Sequence, residues 1–155
     1  SLQISNGVIT EGAASGGGST GAGAGQTFSS DNAGDHWTGT SGADTFNVGR
    51  GGDVISGGGG NDAFVFNEVP WARAEITDFG SGDQINLANM FAHYGYSTSD
   101  PVADGRLKIV SDGQGGSQIW FDADGLTNAA GAWQLATLDH FAPSQLHVSG
   151  AFITG

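Results

Sequence analysis

Between Gly39 and Val65 the chain repeats itself every nine residues, with GTSGADTFN, VGRGGDVIS and GGGGNDAFV in register. Aspartate recurs at 44, 53 and 62, and two residues after each comes a bulky apolar side chain, Phe46, Ile55 or Phe64. Small or turn-forming residues precede every aspartate. A fourth, degraded copy lies upstream in SDNAGDHWT, where Asp35 and Trp37 keep the same spacing. A short fixed period constrains a chain strongly, because each unit can bury its apolar residue only by stacking on its neighbours.

The pieces that follow the aspartates, 45–48, 54–56 and 63–66, alternate as strands do, with Phe46, Ile55 and Phe64 facing inward. Glycine supplies the loops, since a residue without Cβ lets the backbone bend until its carbonyl oxygens converge. The period therefore predicts a parallel β-roll. If nine residues make half a coil, loops 18 residues apart stack on one side, Asp44 above Asp62 and Asp35 above Asp53. Stacked carboxylates repel unless a cation joins them. Calcium suits such a place, being a hard ion that takes about six to eight oxygens from carboxylates and backbone carbonyls alike.

The repeats resemble the RTX nonapeptide family, the GGxGxDxUx units of bacterial proteins exported by type I secretion, strongly over residues 30–87. That resemblance implies two or more calcium ions, each held between stacked loops. One site would take Asp44, Asp62 and the carbonyls of Thr40, Gly42, Gly57 and Gly59. The site on the opposite side would take Asp35, Asp53 and the carbonyls of Asp31, Ala33, Val48 and Arg50. Thr40 and Val48 stand where the family has glycine, and SDNAGD holds a single glycine, so its loop reads as a lid. Downstream, AEITDFGSGDQINL is similar to the family's roll-closing segment, with Glu75 in place of the usual aspartate and Asp78, Phe79, Asp83, Ile85 and Leu87 matching. The resemblance makes Asp78 a cap on the last sites, close to Asp53 or Asp62.

The expected fold is all-β: a parallel β-roll of nonapeptide repeats closed by an antiparallel β cap, with one short helix. Three regions follow, a hairpin and Gly/Ser/Ala-rich linker over 1–29, the roll over 30–87, and the cap with a C-terminal secretion signal over 88–155. Leu2 to Thr10 flanks Asn6-Gly7, a strong hairpin signal. It is echoed by Leu146 to Thr154, which suggests either the tail of a preceding, similar module or two unrelated β patterns. The linker is read as separating modules. Within the cap, Met90, Phe91 and Tyr94 have the spacing of one buried helix face, 107–110 and 117–122 flank a hairpin turn, and 133–138 and 146–153 read as strands. DADG at 122–125 lacks the later ligands of an EF-hand loop and reads as a turn. No pair among His36, His93, His140 and His147 has zinc-like spacing.

Sixteen acidic residues against four basic ones give a net charge of −12, which opposes compaction without ions and disfavours nucleic acid and anionic membranes as partners. There is no cysteine, so bound calcium is the available staple for an extracellular module. No apolar run approaches the length of a membrane span, and a start at SLQISNG without Met suggests a piece of a larger protein. The expectation is a secreted, monomeric, non-catalytic module that folds on calcium and serves export by a type I secretion apparatus. The alternative is a carbohydrate-binding accessory module, because the repeats also resemble those of secreted mannuronan epimerases, a resemblance that implies an acidic polysaccharide. Trp71 and Trp120 could stack on sugar rings, although burial in the cap is the expected place for both.

Overall fold

The computed structural model describes residues 25–95, 97–125 and 131–155 in full, and the backbone alone of Leu2–Ser5 and Val8–Glu11. In chain order the strands are β1 (Leu2–Ser5), β2 (Val8–Glu11), β3 (Thr27–Ser29), β4 (His36–Thr38), β5 (Thr45–Val48), β6 (Val54–Ser56), β7 (Ala63–Phe66), β8 (Ala74–Ile76) and β9 (Gln84–Asn86). After the helix α1 (Ala88–His93) come β10 (Leu107–Ser111), β11 (Ser117–Asp122), β12 (Ala132–Leu138), β13 (His147–Ser149) and β14 (Phe152–Thr154).

From β3 to β9 the chain alternates between two sheets, as a β-roll must. One sheet has the order β1-β2-β3-β5-β7-β9-β14-β13 and the other β10-β11-β12-β8-β6-β4. The parallel registers put Phe28, Phe46, Phe64 and Ile85 in one line, with Trp37, Ile55 and Ile76 in a second line on the facing sheet. All seven are buried. Phe28, Phe46 and Phe64 stack nearly coplanar, with centroids 4.6 and 5.2 Å apart, close to the interstrand spacing. The apolar position of the period thus becomes a continuous core ladder.

The roll starts earlier than the linker reading allows. Thr27–Ser29 is a strand, and Phe28 lies in register with Phe46. The unit is hard to see in sequence because Gln26 replaces the aspartate. Residues 12–24 of that linker, and the Asn6-Gly7 turn, lie outside the described residues. Strands β1 and β2 form the expected hairpin, yet β2 pairs in parallel with β3 and so belongs to this sheet rather than to a separate module. The sequence echo has a structural counterpart: Ile4↔Ile9 and Val148↔Ile153 are equivalent pairs in hairpins at the two ends of one sheet. SDNAGD is likewise more than a lid, since β4 pairs with β6 through Trp37↔Ile55.

The 18-residue step becomes 21 where Val54 pairs with Glu75 and Ala63 with Gln84. The extra residues fall in 67–73, where the backbone N–H groups of Trp71 and Ala72 both donate to the Arg50 carbonyl. Trp71 is 68% exposed, which corrects its expected burial, and Trp120 is only half-buried. The cap also differs from a separate antiparallel layer. The antiparallel set β10 to β12 joins β8 through a parallel pairing, while β14 adds antiparallel to β9, so the cap extends both sheets. The stretch read as one strand over 146–153 is the β13–β14 hairpin. On α1, Met90 and Phe91 are buried, with the Phe91 ring 6.0 Å from Phe121, whereas Tyr94 is partly exposed.

Candidate metal centre

The aspartates of the period line the two sides of the roll, each at the junction of a glycine-rich loop and the strand after it. On one side the N–H of Asp44 donates to Asp62 Oδ1 at 2.8 Å, and the N–H of Asp62 donates to Asp83 Oδ1 at 2.9 Å. Gln26, at the aspartate position of its unit, donates its N–H to Asp44 Oδ1 at 2.6 Å and so heads the row. On the other side the N–H of Asp35 donates to Asp53 Oδ1 at 3.0 Å. All five aspartates are buried. The stacking read from the 18-residue step is therefore present in both rows.

Each carboxylate closes its own loop as well. Asp44 accepts from the N–H and the hydroxyl of Thr40, and Asp53 from the N–H of Gly49. The hydroxyl of Ser30 bridges Asp35 Oδ2 at 2.5 Å and Asp53 Oδ1 at 3.0 Å. Asp78 accepts from Ser56 Oγ and from the N–H groups of Gly57 and Gly58, which puts it on the last glycine loop, where its charge is felt by Asp62. Asp31 folds back on the N–H of Ala33. The Arg50 carbonyl accepts the N–H groups of Trp71 and Ala72 from the 67–73 excursion, and the Thr40 carbonyl accepts the N–H of Gly59. The side chain of Val48 is core, buried in β5.

Electrostatics in the rows oppose ionisation. Burial pushes Asp62 up to about 6 from an ordinary 3.8, with the charges of Asp83, Asp44 and Asp78 adding to it. Burial raises Asp53, with Asp35 adding, and raises Asp83, with Asp78 adding. The ion pair Arg50–Glu68 lies outside both rows, so among the described residues no cationic side chain is paired with these aspartates. Backbone N–H groups and the hydroxyls of Ser30 and Thr40 offset the charge in part.

Two observations test whether a hard cation fits. Oδ1 of Asp35 is buried without a hydrogen-bond partner, an oxygen aimed at nothing in the chain itself. A Cβ built on Gly39 or Gly57 would collide with the carboxylates of Asp44 or Asp62, so the hollow beside them exists only because those residues are glycine. Among the described residues no three His, Cys, Asp or Glu side chains converge, which excludes an all-side-chain centre there. Pairs of carboxylates completed by carbonyl oxygens match calcium instead. Residues 38–68 match the family model of the RTX calcium-binding nonapeptide repeat, in four copies. Residues 38–68 are RTX calcium-binding repeats. The match covers the loops that carry Asp44, Asp53 and Asp62, and no curated protein matches the chain.

The RTX repeats are a non-catalytic, calcium-binding element, and sequence reasoning found the aspartates at 35, 44, 53, 62 and 78. It did not assign Asp83 to a site. The signal was available, since Asp83 precedes Gln84–Asn86 just as Asp62 precedes Ala63–Phe66, but the 21-residue step hides it from a strict period. Among the described residues no helix is long and apolar enough to cross a membrane.

Proposed function

We propose that this RTX module is a calcium-triggered folding unit that supports the export of a larger secreted bacterial protein through a type I apparatus. The observation that carries the reading is the pair of buried carboxylate rows without a cationic partner, Asp44–Asp62–Asp83 and Asp35–Asp53. Calcium supplies the positive charge that the chain lacks.

In this reading Asp44 and Asp62, with the carbonyls of Thr40, Gly42, Gly57 and Gly59, hold one ion. Asp35 and Asp53, with the carbonyls of Asp31, Ala33, Val48 and Arg50, hold another. Asp78 and Asp83 serve the last loop, so the number of ions is two or more. Where calcium is scarce, as in cytosol, the rows repel and the glycine-rich loops stay open, which suits passage through a narrow exporter. Outside the cell, bound calcium stabilises the native roll by mass action. Residues 25–87 act as the roll and 88–155 as its cap, and the β13–β14 hairpin doubles as the end of the export signal.

The test is to express the parent protein with a type I exporter beside a version ending at Gln145, measuring secreted amount and solubility separately. Loss of both is expected, because the truncation removes the strand that pairs with β9. Normal secretion of the shortened form would overturn the export part of the reading while leaving calcium binding intact.

A further inference from the structure

Trp71 and Trp133 border shared hollows and are used by neither the core nor the carboxylate rows. A groove of about 470 Å³ is lined by Trp71, Arg73, Glu75, Trp133 and Gln134. Beside it a second hollow of about 350 Å³ shares Pro70, Trp71 and Trp133 and adds Arg50 and Tyr94. A third, of about 320 Å³, lies over the outer face of β10 to β12 and holds Lys108, Gln118 and Trp120, reaching Ala132 next to Trp133. Trp120 faces the opposite side of β11–β12 from Trp133, because it pairs with Gln134 while the core residue Phe121 pairs with Trp133, and Trp37 is core.

Exposing Trp71 to 68% and Trp133 to 43% forfeits burial that indole normally gains. The Trp71 ring is also held in place. The Arg50 guanidinium lies 4.6 Å from the Trp71 ring centroid and is fixed from the other side by Glu68 at 3.0 Å, while its Nε is buried with no hydrogen-bond partner. A flat indole face with amide and guanidinium donors and a carboxylate acceptor at its edge matches a pyranose ring, whose C–H face is apolar and whose rim is hydroxyl. The charge decides which saccharide. Arg50 is paired with Glu68, the carboxylates of Glu75 and Asp53 line the groove with Arg73, and the whole chain carries −12, so an anionic ligand is repelled at long range.

We infer that the groove between the 67–73 excursion and β12 is a binding site for a neutral hexopyranose oligosaccharide, with Trp71 and Trp133 as stacking platforms. The groove is formed by the excursion and the cap together with Gly51, Gly52 and Asp53 of a calcium loop, so the proposal rests on the calcium-bound roll but not on the export reading, and calcium-saturated protein is used to test it.

The experiment is a titration of the calcium-saturated protein, by calorimetry and tryptophan fluorescence, with a panel of neutral hexasaccharides of glucose, mannose, galactose and N-acetylglucosamine. A galacturonic acid hexasaccharide and vesicles of phosphatidylserine and phosphatidylcholine are run beside them. At least one neutral hexasaccharide is expected to bind, and Trp71→Ala and Trp133→Ala are each expected to weaken it at least about tenfold, or roughly 1.4 kcal/mol. Circular dichroism of Trp71→Ala in calcium is expected to match the parent, since that ring is outside the core. Failure of every neutral oligosaccharide overturns the proposal. So do unchanged affinity in both variants, equal or tighter binding of the galacturonate, and binding to the vesicles alone.

Discussion

The backbone N–H of Asp62 donates to the Asp83 carboxylate at 2.9 Å, repeating over 21 residues the bond that the N–H of Asp44 makes to Asp62 over 18. Asp83 therefore belongs to the same row, although three additional residues in the coil take it out of the nonapeptide period. Asp83→Ala is expected to lower calcium affinity about as much as Asp44→Ala, by at least about tenfold. Calorimetric titration of the two variants checks this. Wild-type affinity in Asp83→Ala would show that the row ends at Asp62.

Asp62 stands in the middle of its row and Asp35 at the head of the other. Removing the Asp62 carboxylate breaks the junction to the loop below and leaves the Asp44 N–H, which is buried, without its acceptor. Asp62→Ala should therefore damage calcium binding at least about tenfold more than Asp35→Ala. Asp62→Asn keeps an acceptor for that N–H while losing the charge, and is expected to fall between them in stability but not to recover affinity. Equal losses for Asp62→Ala and Asp35→Ala in calorimetry would place the stronger site on the other side of the roll.

Much of this arrangement was legible before any coordinates. Phe46, Ile55 and Phe64 with Asp44, Asp53 and Asp62 repeat in register, and a period of nine with one apolar and one acidic position has few physical solutions, so the roll and its two rows follow. What stayed hidden depends on pairings between distant residues. Thr27–Ser29 looks like linker because Gln26 lacks the charge that marks a unit, and only the stacking of Phe28 on Phe46 reveals it. The hairpin β1–β2 is a local pattern, whereas its pairing with β3 is not. Trp71, expected among the buried aromatics of the cap, lies instead in the excursion that hydrogen-bonds to the Arg50 carbonyl, and its side chain is exposed.

The repeat glycines are not equivalent. A Cβ at Gly57 would collide with the Asp62 carboxylate, whereas one at Gly59 would meet Ser41 at an ordinary 3.5 Å. Gly57→Ala is expected to weaken calcium binding at least about tenfold and Gly59→Ala by less than about threefold, although sequence treats the two alike. Similar losses in both variants would mean that loop flexibility, rather than the hollow beside Asp62, sets the affinity.

Acid should favour the calcium-free fold. Asp62 is pushed up to about 6 in the folded chain, against 3.8 ordinarily. A raised carboxyl binds its proton more tightly in the native state, so ion-free stability is lowest above about pH 6 and rises as pH falls towards 3.8. Asp53 and Asp83, raised in the same direction, add to the trend. In calcium the order reverses, since protons compete for the same oxygens. Circular dichroism in chelator at neutral pH and at about pH 4.5 tests it: more strand signal is expected at the lower pH, and a calcium-free chain that loses strand signal on acidification would contradict the raised values.

The central claim is that calcium, rather than the apolar ladder alone, makes the roll fold. Circular dichroism of the chain in chelator at neutral pH, followed by titration with calcium and separately with magnesium, tests it directly. The expected result is a largely disordered spectrum that gains strand signal cooperatively with calcium and hardly at all with magnesium, which demands tighter octahedral geometry and sheds water reluctantly. A full strand spectrum in chelator, unchanged by calcium, would contradict the account.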